Sequence, residues 1–562
     1  MLGTEQERLR ELDRMYPIWK PHTLWTLFEQ SAARFDQQEL LSWEEGSVTY
    51  GQARQEVDRI ARGLLAIGVR PGDHVGLLLH NCPDFLYLTF ALSKIGAVKV
   101  LINPSIGREE LRFVLCQAEV TFLVSEKIVD DQILSQVPSF QKLVVLKRNP
   151  YYQSEKLIYV LDFLRLADAC GEEVRALPLG AQDPNGLSDI VFTSGSTSRP
   201  KGVMCTHDML LRSAYGTCYC RRMEVGRRLF IPIPFFHLFG YVEGVLSVLF
   251  VGGTVIFSNR KFEPRHALSL MRRKRANDII CVSPVMMKLL TVGNPCPEQY
   301  PDMHAAYWAS TCPDWVWDCG RAAFGITDVT TGYGMTECGS TSNMLRPTDP
   351  PDYVKRCNGR MKQAGAAGRP ETGGNLLELK ICDPETGTEL PAGQTGEILC
   401  RGTTMTPGYY HNESANREAF DRDGWFHTGD LGSFDTDGYL IFQGRRNDMY
   451  KINGENVSPL FLDSVIGRCP LVKAVETVGI AHPSYGEVGV AFVDLLDTSE
   501  HNKRELYHFC HEHLAPFQIP KYYIFLDNAL WPRTGSGKIK KSDLRLLAEQ
   551  KIAGEEAELC ER

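Results

Sequence analysis

Short apolar runs alternate with helical patterns through the first third of this chain, and that alternation restricts the folds open to it. The run Val75–Leu79 indicates a strand, the pattern Cys82–Ile95 a helix, and the run Ala97–Ile102 a further apolar strand. Ser188–Phe192 is another strand candidate, and it ends in a loop of glycine, serine and threonine. Strands separated by helices are typical of layered sheets with helices on their faces. The sequence therefore predicts an α/β fold.

The pattern changes after the middle of the chain to closely spaced turns rich in Asp and Gly. These turns lie at Asp383–Gly387, Asp421–Gly424 and Asp435–Gly438. Turn residues of this kind between short runs indicate β-hairpins. We therefore expect a β-rich subdomain in this part of the chain.

The length of the chain requires more than one domain. It has 562 residues, whereas a typical domain has roughly 100–200. The polar stretch Gly444–Asp448 precedes a segment with its own strand and helix patterns. We predict a large N-terminal α/β domain of layered sheets and helices, residues 1–447, and a small mobile α+β C-terminal domain, residues 448–562.

Composition excludes several classes of protein. The net charge of −8 argues against a nucleic-acid binder that relies on overall positive charge. Seventeen cysteines without a Cys-x-x-Cys pair indicate free thiols in a reducing compartment, so we expect a cytoplasmic protein. The charged start Met1–Arg8 has no apolar signal-peptide core, and the apolar stretch Gly244–Phe257 is shorter than the roughly 20 residues of a membrane-spanning helix.

The loop Thr193–Gly202 follows directly after the strand candidate Ser188–Phe192. Hydroxyls and exposed backbone N–H groups can surround a polyphosphate, and Lys201 adds a positive charge. The loop lacks the spacing of a Walker motif, and its composition also suits a flexible linker. Its position after a strand and before a helical pattern favours a phosphate-binding loop.

This loop resembles the phosphate loop of the adenylate-forming superfamily, which includes acyl-CoA synthetases, adenylation domains of peptide synthetases and beetle luciferases. The second glycine of the family motif is Ser198 here. Further segments resemble family motifs in the family's order along the chain. They are Pro234–Gly240, Gly332–Glu337, Gly424–Asp430, Gly444–Asp448 followed by Lys451 and Gly454, and Pro532–Lys538.

The resemblance implies a reaction in two halves that uses ATP, Mg²⁺ and coenzyme A. The carboxylate of a small-molecule acid attacks the α-phosphorus of ATP, and a thiol then attacks the acyl-adenylate. The alternative acceptor is the phosphopantetheine of a carrier protein. A luciferase-like oxygenase and a catalytically inactive nucleotide-binding scaffold are the other readings. The sequence leaves the acid and the choice between monomer and homodimer open.

The resemblance also implies roles for individual residues in the first half-reaction. Glu337, together with Thr197, would hold Mg²⁺, Lys538 would bridge the acid and ATP, and His237 would line the acyl entrance. The residues expected to bind ATP or AMP are Thr193, Ser194, Gly195, Ser196, Thr197, Lys201, Tyr333, Gly334, Thr336, Asp430 and Arg445. Within this set Tyr333 would stack on adenine, Asp430 would accept both ribose hydroxyls and Arg445 would contact the ribose. A surface Glu, a solvated Lys and core Tyr or His side chains are the corresponding structural alternatives.

For the second half-reaction the resemblance implies a rotation of the small domain. Asp448 would be the hinge, and Lys451 and Gly454 would line the channel for pantetheine. Glycine suits a narrow channel because it has no side chain to obstruct the ligand.

Several segments depart from the family pattern or refine it. Ser310–Pro313 stands where the family has Gly-Gly-Ala-Pro, and Phe461 replaces a Glu near the expected domain interface. Thr197–Gly202 and Gly454–Ser458 are similar to segments of carnitine/crotonobetaine-type CoA ligases. A quaternary ammonium substrate would need an aromatic cage or a carboxylate. The candidates are Trp308, Trp315 and Trp317, which also suit a core or surface position.

Overall fold

A computed structural model describes most of the chain. The described residues are 3–147, 156–172, 179–193, 200–259, 261–309, 314–452, 455–482, 486–533, 539–554 and 557–559. They form parallel sheets covered by helices, an antiparallel β-rich region and a further mixed sheet near the C-terminus. The predicted α/β class is confirmed. None of the described helices combines the length and apolar composition needed to cross a bilayer.

The first sheet contains the strands predicted from the alternating pattern. Its described strands, in spatial order, are Leu157–Tyr159, Lys142–Val145, Phe122–Ser125, His74–Leu78, Val98–Leu101, Leu187–Thr193 and Lys201–Thr206. All neighbouring pairs are parallel except the last, which is antiparallel. That last pair brings both ends of the predicted phosphate loop to one sheet edge.

The helix between two of these strands shows why the local sequence folds as it does. It spans Pro83–Ile95, with Cys82 as its N-cap residue. Proline suits the first helical position because its missing N–H has no intrahelical acceptor there. Gly96 ends the helix with a φ of 86°, a left-handed conformation that glycine adopts without strain.

The second sheet packs its strands in the order Asp328–Thr330, Ala305–Ala309, Asp278–Val282, Arg228–Phe230, Thr254–Ile256, Glu39–Ser42 and Ser47–Thr49. The pairs are parallel except for the edge hairpin Glu39–Ser42 with Ser47–Thr49. Trp308 in this sheet stacks on Trp317, with ring centroids 4.4 Å apart, and both are buried. The core alternative therefore holds for these two tryptophans, whereas Trp315 is partly exposed.

The expected β-rich region is an antiparallel sheet. Its described strands are Leu377–Cys382, Gly396–Gly402, Phe426–Phe434 and Leu440–Arg445. A smaller sheet beside it consists of Gly332–Tyr333, Asn343–Met344 and Arg360–Met361. The turn Asp435–Gly438 joins two strands of the larger sheet, as the turn pattern predicts.

The chain after the polar stretch forms a separate mixed sheet. Its described strands are Tyr450–Ile452, Glu455–Val457, Val472–His482, Gly486–Leu495, Tyr522–Phe525 and Glu558–Leu559. Buried residues on its faces form clusters that include Leu462, Leu506 and Leu544. These clusters consist only of residues from this C-terminal part of the chain.

Helices cover the faces of the sheets. The described α-helices longer than four residues are Glu5–Met15, Leu24–Arg34, Tyr50–Ala66, Pro83–Ile95, Arg108–Gln117, Val160–Ala169, His207–Arg221, Pro264–Arg273, Ser283–Gly293, Asp314–Phe324, Glu413–Ala419, Pro459–Ile466, Glu500–His513 and Lys541–Ala553. Other helical segments include Asp131–Leu134, Leu238–Gly240, the six-residue π-helix Tyr241–Leu246 and Ser247–Phe250. All the described cysteines are free thiols.

A fully buried ion pair joins distant segments of the core. The Lys362 ammonium donates to Glu243 Oε1 at 3.0 Å, to Thr341 Oγ1 at 2.9 Å and to Ser213 Oγ at 3.1 Å. Thr341 also donates to Glu243 Oε1 at 2.7 Å, and Thr217 donates to the other carboxylate oxygen. Because every polar group here has a partner, the desolvation of both charges is offset.

We predict that Lys362→Met lowers the free energy of unfolding by about 3–5 kcal/mol, because it leaves a buried carboxylate without its cation. The double variant Lys362→Met with Glu243→Gln should recover part of that loss, since no uncompensated charge remains. Urea unfolding followed by tryptophan fluorescence measures both. Equal losses in the single and double variants would contradict this account of the ion pair.

Candidate active site

The two described ends of the predicted phosphate loop are joined by the sheet. Thr193 pairs with Lys201 in the antiparallel register, and the Thr193 hydroxyl lies 3.5 Å from the Lys201 carbonyl oxygen. The loop therefore leaves and re-enters the sheet at one edge. The predicted contacts at Ser194, Gly195, Ser196 and Thr197 lie outside the described residues.

The turn that carries Glu337 depends on a close approach between backbone segments. Gly334 lies against the backbone of Ser340 and Thr341, where any side chain would collide. A 3₁₀ turn, Thr336–Cys338, follows and leaves Thr336 partly buried. Glycine at 334 thus permits the tight fold that holds Glu337 in place.

The Glu337 side chain is 7% exposed and has one oxygen engaged. The Tyr409 hydroxyl donates to its Oε1 at 2.8 Å. Among the described residues, nothing donates a hydrogen bond to Oε2 and no cation forms an ion pair with the carboxylate. A carboxylate in this state fits Mg²⁺, which prefers hard oxygen ligands.

Tyr409 also connects Glu337 with the phosphate loop. The Lys201 ammonium lies 4.9 Å from the centroid of the Tyr409 ring. Burial and the neighbouring Glu337 charge raise the pKa of Tyr409 well above its usual value, so the hydroxyl stays protonated and can donate. Sequence reasoning missed Tyr409, because its contact with Glu337 spans 72 positions and no local pattern indicates it.

A second buried carboxylate, Asp430, is held in a similar way. The Tyr333 hydroxyl donates to Asp430 Oδ2 at 2.7 Å, and Arg445 Nε lies 3.4 Å from Oδ1. Asp430 is 5% exposed, and its Oδ1 accepts no hydrogen bond from the described residues. A ligand hydroxyl can donate to this oxygen, and the ribose contact of Asp430 stays a prediction.

Strand register explains how Arg445 reaches Asp430. The two residues are directly paired in the antiparallel sheet. Tyr333 packs in the same region, with its ring 5.4 Å from that of Phe442 and inclined by 28°. Tyr333 is 6% exposed. Its stacking on adenine stays a prediction.

Several charges act on the pKa of Asp430. Burial raises it, and the Arg445 guanidinium opposes part of that rise. The carboxylates of Glu337 and Asp448 add to the rise. The contacts explain why these charges meet. Tyr333, four positions before Glu337, donates to Asp430. The turn that ends at Asp448 directly follows Arg445, the strand partner of Asp430. The predicted metal ligand, ribose ligand and hinge residue therefore lie in one region.

His237 begins the short helical segment Leu238–Gly240. Its ring centroid lies 4.7 Å from that of Phe236, and Phe239 meets Tyr307 edge to face at 4.9 Å. The Tyr307 hydroxyl in turn lies beside Gly332. A Cβ atom added to that glycine would be only 2.9 Å from the hydroxyl oxygen. This series of contacts places the His237 segment next to the strand that carries Tyr333.

The predicted hinge lies in the 3₁₀ turn Arg446–Asp448, between the β-rich region and the C-terminal sheet. Arg545 Nη2 donates to Asp448 Oδ1 at 3.1 Å and lies 3.3 Å from the Asn447 carbonyl oxygen. Lys451 is exposed, and its backbone N–H donates to Glu487 at 2.7 Å.

Two predicted site residues of the C-terminal region, Gly454 and Lys538, lie outside the described residues. The departure at Ser310–Pro313 does so as well. Phe461 is described and is 45% exposed, so it places an apolar ring at the surface where the family pattern has a charge.

The raised pKa of Asp430 predicts an effect on stability. Folding favours the protonated form of Asp430. This contribution to stability is complete below the unfolded pKa of about 3.9 and is lost as pH rises through the folded pKa. We expect Asp430→Asn to raise the thermal unfolding midpoint of the ligand-free protein at pH 7. The gain should shrink as pH falls. A variant that is less stable than the wild type by the same amount at every pH would contradict this.

Nearly the whole chain is similar to known proteins. The model of the AMP-binding enzyme family matches residues 28–410, and that of the AMP-binding enzyme C-terminal domain matches residues 462–538. The putative acyl-CoA synthetase YngI of Bacillus subtilis is 31% identical over 93% of this chain and 96% of its own length. The crotonobetaine/carnitine–CoA ligase of Citrobacter koseri is 30% identical over 88% of this chain and 93% of its own.

A solved structure agrees with the sequence relatives. ATP-bound MatB from Rhodopseudomonas palustris superposes with a TM-score of 0.81 at 25% identity, covering 94% of this chain and 99% of MatB. The superposition covers both the α/β sheets and the C-terminal region. With its family model, its curated relatives and its fold in agreement, the chain belongs to the AMP-binding enzyme family.

Proposed function

We propose that this protein is an AMP-forming acid–thiol ligase. It converts a carboxylic acid and ATP to an acyl-adenylate and pyrophosphate, and then transfers the acyl group to coenzyme A, releasing AMP. The relatives named as an acyl-CoA synthetase and as a crotonobetaine/carnitine–CoA ligase cover most of the chain and favour CoA over a carrier protein as acceptor.

One observation carries the proposal. Two buried carboxylates, Asp430 and Glu337, lie in one region, and a tyrosine hydroxyl holds one oxygen of each. Burying a carboxylate with an oxygen that accepts no hydrogen bond is costly, and such groups are typical of binding and catalytic sites. Here the remaining oxygens suit the ribose hydroxyls of ATP and a divalent cation.

In the first half-reaction the chain must bring an anionic acid to a polyanion. Two like charges 4 Å apart repel by about 4 kcal/mol at an effective dielectric of 20. Lys201 supplies a positive charge at the end of the phosphate loop, and Lys538 adds another from the C-terminal domain. Mg²⁺ held by Glu337, with the Thr197 hydroxyl nearby, would neutralise phosphate charge. His237 lines the entrance where the acid carboxylate approaches the α-phosphorus.

The second half-reaction needs a different surface. We propose that residues 448–562 form a domain that turns about Asp448 relative to residues 1–447. The turn withdraws Lys538 and brings Lys451 and Gly454 to the pantetheine arm. The thiol then attacks the acyl carbonyl, and AMP leaves with the oxygen that joined it to the acyl group. The free thiols of the described cysteines support a cytoplasmic location.

We predict that Asp448→Pro spares adenylate formation but slows thioester formation at least tenfold, because proline fixes φ at the hinge. Asp448→Ala is the matched control, since it also removes the ion pair with Arg545 but leaves φ free. Pyrophosphate exchange measures the first half-reaction and acyl-CoA production the second. Equal loss of both half-reactions in the proline variant would contradict a hinge at Asp448.

A panel of carboxylic acids tests the overall reaction. Aliphatic, aromatic and betaine-type acids are incubated with ATP and Mg²⁺, with and without coenzyme A, and AMP and acyl-CoA are quantified. We expect at least one acid to give AMP and acyl-CoA in equal amounts only when coenzyme A is present. Pyrophosphate release without any CoA thioester would instead favour a carrier-protein acceptor. A lack of pyrophosphate exchange with every acid would favour the inactive scaffold.

A further inference from the structure

The backbone around Tyr409 is fastened to the strand that follows the phosphate loop. Tyr409 forms an antiparallel bridge with Val203. The Met204 N–H donates to the Gly408 carbonyl at 3.0 Å, and the Tyr410 N–H donates to the Gly202 carbonyl at 2.8 Å. Tyr409 therefore keeps a fixed position relative to Lys201, which begins this strand.

The same segment is also fastened to the turn that carries Glu337. The Thr406 N–H donates to the Glu337 carbonyl at 2.7 Å, and the Thr406 hydroxyl donates to the Met204 carbonyl at 2.7 Å. Main-chain bonds thus hold the Glu337 turn, the Tyr409 segment and the strand Lys201–Thr206 together. The side-chain bond between Tyr409 and Glu337 forms within this rigid frame.

The bond restricts how the Glu337 carboxylate can turn. The Tyr409 hydroxyl is buried and engages Oε1 at 2.8 Å, so rotation of the carboxylate group would break a charge-assisted hydrogen bond. Oε2 accepts no hydrogen bond within the described part of the chain. The hydrogen bond therefore fixes Oε1 as the engaged oxygen and leaves Oε2 to face a ligand.

We propose that Tyr409 is the positioning residue of Glu337. The Tyr409 hydroxyl orients the Glu337 carboxylate for the divalent cation of metal–ATP, and the Tyr409 ring at the same time places the Lys201 ammonium above it. The inference rests on the proposed function, in which Glu337 holds the metal. Tyr409 acts through Glu337 and Lys201, and is not itself a catalytic residue.

The test substitutes Tyr409→Phe, which keeps the ring beneath Lys201 and removes only the hydroxyl. Binding of Mn²⁺ to the protein–ATP complex is measured by electron paramagnetic resonance, with protein in excess over ATP. We expect the dissociation constant for Mn²⁺ to rise about 10- to 100-fold, the usual effect of removing a partner that orients a metal ligand. ATP binding in EDTA, measured by calorimetry, should change less than twofold.

The neighbouring tyrosine provides a matched control. The Tyr410 hydroxyl donates to Glu119 Oε2 at 2.8 Å, away from Glu337. Tyr410→Phe therefore removes a tyrosine hydroxyl from the next residue of the chain, and it should leave the Mn²⁺ affinity unchanged. An equal loss in both variants would overturn the proposal, because the effect would then be a general one of the segment.

Glu337→Gln separates this inference from the proposed function. We expect it to weaken Mn²⁺ binding, and Tyr409→Phe to add no further loss in the Glu337→Gln background. If Glu337→Gln weakens Mn²⁺ binding and Tyr409→Phe does not, the positioning role is wrong while the metal role stands. If Glu337→Gln has no effect on Mn²⁺ binding, the metal role of Glu337 fails and the positioning role fails with it.

Discussion

Two buried carboxylates, each held at one oxygen by a tyrosine hydroxyl, are the interaction on which the site depends. Tyr333 holds Asp430 and Tyr409 holds Glu337. Both carboxylates lose water on burial, and within the described residues only Asp430 has an ion-pair partner, Arg445, whose Nε lies 3.4 Å from Oδ1. Folding therefore bears a cost that binding of a nucleotide and a cation would recover. The surrounding sheets, cores and backbone bonds give the stability that makes such a cost tolerable.

The fold supplies this geometry through sheet register and close backbone packing. Register places Arg445 beside Asp430, and the antiparallel edge pair returns the phosphate loop to the strand that begins at Lys201. Close packing at Gly334 sets the turn that carries Glu337. The groups proposed to bind the ligands thus lie on or beside strands, where several hydrogen bonds at once resist small displacements. Rigid support of this kind is what an ordered binding site requires.

The sequence predicted much of the fold because its signals are local. The apolar run Val75–Leu79 predicted the strand found at His74–Leu78, and the helix predicted over Cys82–Ile95 is found at Pro83–Ile95. Asp-Gly turns indicated the antiparallel region. The resemblance pointed to Asp430 and Glu337, but not to what holds them. Tyr409 and the Lys362–Glu243 pair are contacts between distant segments, and no local pattern carries that information. The role of Lys538 remains a prediction because this residue lies outside the described part of the chain. The roles of Asp448 and Lys451 remain predictions because they depend on the proposed rotation.

The central claim is that the acid attacks the α-phosphorus of ATP, and an isotope measurement tests it most directly. The acid is labelled with ¹⁸O in its carboxylate and converted with ATP and coenzyme A, and the nucleotide and phosphate products are analysed by mass spectrometry. The account predicts one ¹⁸O in the phosphate of AMP for each acyl-CoA formed, because the attacking oxygen stays on phosphorus when the thiol displaces it from the acyl carbon. Label in inorganic phosphate together with formation of ADP would contradict the account.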